Sequence, residues 1–134
     1  MLQPKKTKYK KSFKGRIYGY EYKSTKLVFG SLGIKVLKPG RIKASQIEAI
    51  KKSIFKKLKR KSKIWIRIFP SLPVTAKPIE VRMGKGKGSF SYWCSPVKPG
   101  RILFEIQEKS LAIGYEVLKI TTTKLGLPVS LVSQ

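Results

Sequence analysis

The chain has 134 residues, room for one domain, and a domain of this size can bury roughly 65–70% of its unfolded surface. It carries 31 Lys+Arg against six Glu, with no Asp and no His, for a net charge of +25. That inventory excludes Ser-His-Asp and Cys-His catalysis and any histidine metal site, and a fold with this much self-repulsion calls for a polyanionic partner. A hydrophobic fraction of 41% separates the chain from wholly disordered basic tails.

Residues 1–26 read as a basic arm: Lys5, Lys6, Lys8, Lys10, Lys11, Lys14, Arg16, Lys23 and Lys26 are interleaved with Tyr9, Phe13, Tyr18, Tyr20 and Tyr22. Such an arm is either a solvated tail or a segment ordered by nucleic acid, with aromatics available to stack on bases. Leu27–Gly33 and Ile34–Leu37 predict two short strands around a Gly-rich turn, ended by Pro39-Gly40. Helix one is the clearest element. Ser45 and Glu48 have capping-box spacing, and Ile47, Ile50, Ile54 and Leu58 recur on one face. Its other face carries Lys51, Lys52, Lys56, Lys59 and Arg60. Like charges at i,i+4 cost a few tenths of a kcal/mol each unless phosphate neutralises them.

Ile64–Phe69 predicts a strand, with Ile64, Ile66 and Ile68 on one side and Trp65, Arg67 and Phe69 on the other. Pro70, Pro73 and Pro78 oppose regular pairing, so residues 70–90 read as a long extended loop. Ser91–Val97 and Arg101–Ile106 then read as a hairpin about Pro99-Gly100. Helix two is expected from about Lys109 to Lys124, with Leu111, Tyr115, Leu118, Thr122 and Leu125 facing the core, and Val129–Val132 as an edge strand. The pattern is α+β: two helices layered on a mostly antiparallel sheet, in a single domain spanning 1–134.

The sharpest segment is Val81-Arg82-Met83-Gly84-Lys85-Gly86-Lys87-Gly88-Ser89. Alternating Gly and Lys permits close backbone approach while each ammonium reaches phosphate. A phosphate-loop ATPase is excluded by spacing, since counting from Gly84 puts Ser89 where the second Gly belongs, and no Asp is available for magnesium. Cys94 stands alone, so an internal disulfide is impossible, and in a strand it reads as a small buried hydrophobe. No uncharged stretch exceeds ten residues, which is too short for a membrane span. No catalytic residue, metal or cofactor is expected. Lys outnumbers Arg 25 to 6 and Ile outnumbers Ala 14 to 4, a skew toward AT-rich codons.

Several blocks together carry a resemblance: Met1 through Tyr9, Phe29-Gly30, Gln46-Ile47-Glu48-Ala49, Lys63 through Pro70, Val81 through Gly88, Tyr92-Trp93 and Lys98 through Leu103. In order and spacing the chain resembles the family of the sixteenth protein of the bacterial-type large ribosomal subunit, over essentially its whole length. The resemblance implies an α+β sandwich bound to large-subunit rRNA near the central protuberance, late incorporation during assembly, and neighbouring ribosomal proteins. It also implies a loop directed at tRNA acceptor arms near the peptidyl-transferase centre. Carried over by position, that loop is Arg82, Met83, Gly84, Lys85, Gly86, Lys87 and Gly88, with Arg82 at its functional tip. The arm Lys5–Arg16 binds rRNA in this reading, joined by Arg41, by Lys51, Lys52, Lys56 and Arg60 of helix one, and by Lys63 and Arg67. No membrane and no small-molecule substrate is implied. The motif starts at residue 1, and with the AT skew this points to an organelle-encoded protein, mitochondrial before plastid, with the bacterial cytoplasm as the alternative. The rival reading from another class is a cationic nucleoid-type DNA-binding or membrane-active protein.

Overall fold

The computed structural model describes residues 2–133. Chain order is β1 (Leu32–Val36), β2 (Gly40–Lys43), α1 (Ala44–Lys57), β3 (Ile64–Ile66), β4 (Leu72–Ala76), β5 (Ser89–Val97), β6 (Ile102–Ile106), α2 (Leu111–Leu125) and β7 (Val129–Ser133). The α+β class is as expected. The strands, however, form two antiparallel sheets rather than one, ordered β3-β6-β1-β7 and β2-β5-β4. Ile34, Val36, Ile47, Ile50, Ile54, Leu103, Phe104 and Val117 are buried in one core that joins the four-stranded sheet to both helices. Burying each such side chain stabilises the domain by about 1.5–3 kcal/mol.

Several boundaries differ from the sequence reading, each for a local reason. Residues 27–31 are not a strand, because the N–H groups of Val28, Phe29 and Gly30 are taken by the Glu105 carboxylate (3.1, 2.7 and 2.9 Å) instead of a neighbouring strand. The chain does break before Gly40, over residues 37–39, but Gly40 itself opens β2. The expected hairpin over 91–106 is absent, since β5 pairs with β2 and β4 while β6 pairs with β1 and β3. Gly100, at φ +92°, turns the chain from one sheet to the other and donates its N–H to Val36 at 2.7 Å. Residues 70–90 are not all loop. Pro73 is accommodated in β4 because β4 is an edge strand, where a missing donor costs little.

The helices also shift. α1 begins at Ala44, with Gln46 Oε1 accepting the Lys43 N–H at 3.0 Å, so Ser45 and Glu48 do not cap it. Glu48 instead accepts the Leu2 N–H at 2.6 Å, a bond that lowers its carboxyl pKa. On α2 the buried stripe is Gly114, Val117, Thr121 and Leu125, whereas Leu111 and Tyr115 are 52% and 63% exposed. Gly114 sets this rotation. A Cβ there would stand 2.9 Å from Leu131 and 3.1 Å from Leu32, so its absence lets α2 settle onto β7 and β1. Thr121 is tolerated inside because its hydroxyl donates to the Val117 carbonyl at 2.8 Å.

Glu105 is wholly buried on β6 and ion-paired with Arg67 while it accepts the three N–H groups of residues 28–30. Burial pushes its carboxyl pKa up; the Gly30, Phe29 and Val28 donors and the Arg67 guanidinium push it down further, and the net shift is below the ordinary value. A carboxyl depressed in the folded state stabilises fully above its unfolded pKa, and that contribution is lost as pH falls through the folded value. Glu105→Gln removes the charge and leaves Arg67 without its partner, so it should cost about 3–5 kcal/mol and flatten the acid limb of stability below about pH 4.3. Urea melts of both proteins between neutral and acidic pH measure this. Equal slopes on the acid side would contradict it.

Candidate nucleic-acid interface

Three cation-bearing segments are mounted on this core. The first is the arm. Lys5, Lys6, Lys8, Lys10, Lys11, Lys14 and Arg16 are all exposed, as are Tyr9, Tyr18, Tyr20 and Tyr22, and Phe13 is 95% exposed. The chain is nevertheless fastened at intervals. Leu2 is held by Glu48, Arg41 donates to the carbonyls of Lys14 (3.2 Å) and Gly15 (2.6 Å), and Arg101 pairs with Glu21 at 2.9 Å. Further on, Ile102 donates its N–H to Ser24 at 3.0 Å, and Glu105 takes residues 28–30. An arm so anchored presents its ammonium groups from a laid-down backbone.

The second segment is the outer face of α1, where Lys51, Lys52 and Lys56 are exposed opposite buried Ile47, Ile50 and Ile54. Arg60 and Lys63 extend it beyond the helix and are exposed too. Lys57 differs, pairing with Glu116 of α2 at 2.9 Å. Arg67 and Arg41 sit differently from the other expected RNA ligands. Arg67 is spent on Glu105 and lies over the Phe29 ring at 5.3 Å, and Arg41 clips the arm. Both guanidiniums act here as internal fasteners, a role that sequence alone could not separate from phosphate contact.

The third segment is the tip that β4 and β5 carry. Arg82, Met83 and Lys85 are exposed, and Gly84, Lys85 and Gly86 all have positive φ (+90°, 54° and +84°), a left-handed run that two glycines make inexpensive. Lys77 donates to the Gly84 carbonyl and closes the tip from inside. At its base, a Cβ on Gly88 would lie 2.3 Å from the Ala76 carbonyl oxygen, so only glycine fits. The arm and the tip, which read as separate segments in the sequence, meet: Lys11 Nζ donates to the Lys87 carbonyl at 3.1 Å, Lys87 donates to the Ser12 carbonyl, and Lys87 Nζ stands 5.7 Å from the Phe13 ring.

Cys94 is buried and burial raises its pKa, so it is a packing group and not a nucleophile. Replacing Lys51, Lys52 and Lys56 together by Gln removes three exposed charges and no core contact. The triple variant should melt as cooperatively as the parent while the log–log salt slope of RNA binding shrinks by about 2–3. Loss of cooperative melting would show that this face is packed.

Comparison with known proteins identifies the family. Residues 4–132 match the family described as Ribosomal protein L16p/L10e. The chain is 53% identical over 127 residues to the large ribosomal subunit protein uL16 of Mesorhizobium japonicum and equally so to that of a Chelativorans species; the Rhizobium etli protein is 52% identical. Each match covers 95% of this chain and 93% of the relative. The chain therefore belongs to the ribosomal protein L16p/L10e family.

Proposed function

We propose that the protein is a structural, non-enzymatic constituent of the large ribosomal subunit, docked on large-subunit rRNA by its arm, by the outer face of α1 and by the β4–β5 tip. The carrying observation is that exposed cations on three separate segments are tied to one core, while Glu21, Glu48 and Glu105 are drawn into bonds that hold the arm and the core. Within one domain, residues 1–26 serve as the arm and 70–90 as the protruding element. Lys5, Lys6, Lys8, Lys10, Lys11, Lys14, Arg16, Lys51, Lys52, Lys56, Arg60 and Lys63 are the phosphate ligands in this reading, and Arg41 and Arg67 hold the scaffold. Neighbouring ribosomal proteins complete the surroundings.

The tip has a second assignment. Arg82, exposed beside fully exposed Met83, with Lys85 and Lys87 following, suits contact with tRNA ends more than anchoring, because it stands midway along the turn between the ends of β4 and β5. Location is read from two sources. The relatives are bacterial, which supports a bacterial-type ribosome, while the Lys- and Ile-rich composition supports an AT-rich genome and, through it, a mitochondrial ribosome.

Two measurements test this reading. Large-subunit rRNA should stay bound in the presence of excess duplex DNA; displacement by DNA of equal charge would favour the nucleoid-type alternative. Arg82→Ala should leave the protein at full occupancy in large subunits and slow peptide-bond formation or tRNA accommodation. Normal elongation at full occupancy would reduce the tip to an anchor.

A further inference from the structure

A groove of about 1050 Å³ runs between α1 and β3, the edge strand of the four-stranded sheet. Its volume lies just above that of pockets that hold drug-sized ligands, roughly 300–1,000 Å³. Phe55 from α1, 41% exposed, puts an aromatic ring on the helix wall, and Trp65 lines the β3 side, its ring alternating to the sheet face opposite Ile64 and Ile66. The Trp65 ring is braced on its own side by Phe29, with centroids 6.0 Å apart and planes 20° from parallel. Lys51, Lys52, Arg60, Lys61 and Lys63 border the groove, against one acid, Glu48, which holds the Leu2 N–H.

The floor also has directional groups. Gln107 donates its N–H to Lys63 (3.0 Å), Arg67 donates to Leu103 (2.8 Å), and Trp65 lies opposite Glu105. In an antiparallel ladder alternate residues bond to the same neighbour, so residues 63, 65 and 67 face β6. The N–H and C=O of Ile64 and Ile66 consequently point to the open side of β3, toward the groove that both residues line.

We propose that this groove receives one unstacked nucleotide of single-stranded RNA, an inference that rests on the RNA-binding reading above and gives it a defined subsite. The base lies against the Phe55 ring, its polar edge meets the outward backbone groups of Ile64 and Ile66 beside Trp65, and Lys51, Lys52, Arg60 and Lys63 hold the flanking phosphates. An extended peptide can pair with the same strand edge, but the five cations favour a phosphodiester chain over a peptide. A continuous duplex satisfies the lysines and leaves the Phe55 ring and the strand edge unused, since its bases stay in the stack.

The test uses the full chain in its Trp93→Phe form, which leaves Trp65 as the single tryptophan. Three probes of equal phosphate count are titrated: an unstructured single-stranded RNA, a blunt RNA duplex and inorganic polyphosphate. Trp65 emission should be quenched by the single strand alone, with binding about five- to tenfold tighter than polyphosphate. Phe55→Ala, made also in the parent chain, should erase that preference without changing the salt slope, and Phe55→Tyr should retain it. Equal affinity for all three probes, or an unaffected Phe55→Ala protein, overturns the subsite while leaving general RNA binding intact. Stronger quenching by an uncharged extended peptide than by single-stranded RNA overturns it in favour of a protein tail. Absence of binding to any RNA overturns the subsite and the RNA-binding reading together.

Discussion

A domain with 31 cations and six glutamates holds together only if its few acids are placed where each offsets the most repulsion, and their placement organises the whole molecule. Glu105 gathers Arg67 and three backbone donors inside the protein, Glu21 holds Arg101, Glu48 holds Leu2, Glu108 accepts the Ser62 hydroxyl at 3.0 Å, and Glu116 holds Lys57. Only Glu80 lies out on the exposed tip segment. Negative charge is therefore used to fasten the arm and the helices to the core. The remaining positive charge is left on the outside, where a polyanion can neutralise it.

That division explains why the arm is laid along the domain. Its chain is pinned in turn by Glu48, the Lys87 contacts, Arg41, Arg101 and Glu105, elements drawn from α1, the β4–β5 tip, β2 and β6. Exposed lysine–carbonyl bonds such as that of Lys11 are individually weak, whereas the buried Glu105–Arg67 cluster is costly to disrupt. The arm is thus firmly rooted at residues 28–30 and loosely tacked at Ser12–Phe13. Such a gradient suits a segment that must adjust to RNA at one end and hold register with the core at the other.

Much of this was legible from residue order. The amphipathic face of α1, the Gly/Lys tip, the edge strand at Val129 and the buried role of Cys94 all follow from period and chemistry. What misled was long-range. Glu105 took the backbone donors that would have made residues 27–31 a strand, and nothing local marks a carboxylate 75 residues away from Gly30 as their partner. Gly114 rotated α2 by one position because packing distance outweighed the larger side chains of Leu111 and Tyr115. Arg67 and Arg41 look like any other surface cation until the buried acid and the arm carbonyls are seen beside them. Pairing across two sheets was hidden for the same reason, since adjacent strands in sequence suggested a hairpin where the chain in fact changes sheets at Gly100.

In the proposed function, surface cations freed by inward-facing acids seat the protein on the large ribosomal subunit. Sedimentation of cell extracts through gradients of rising monovalent salt tests it most directly. The protein should co-migrate with large subunits at low salt and be stripped progressively as salt rises, while its purified form still unfolds cooperatively at the stripping concentration. Migration with DNA or membranes at low salt, or release only where the core itself unfolds, would contradict the account.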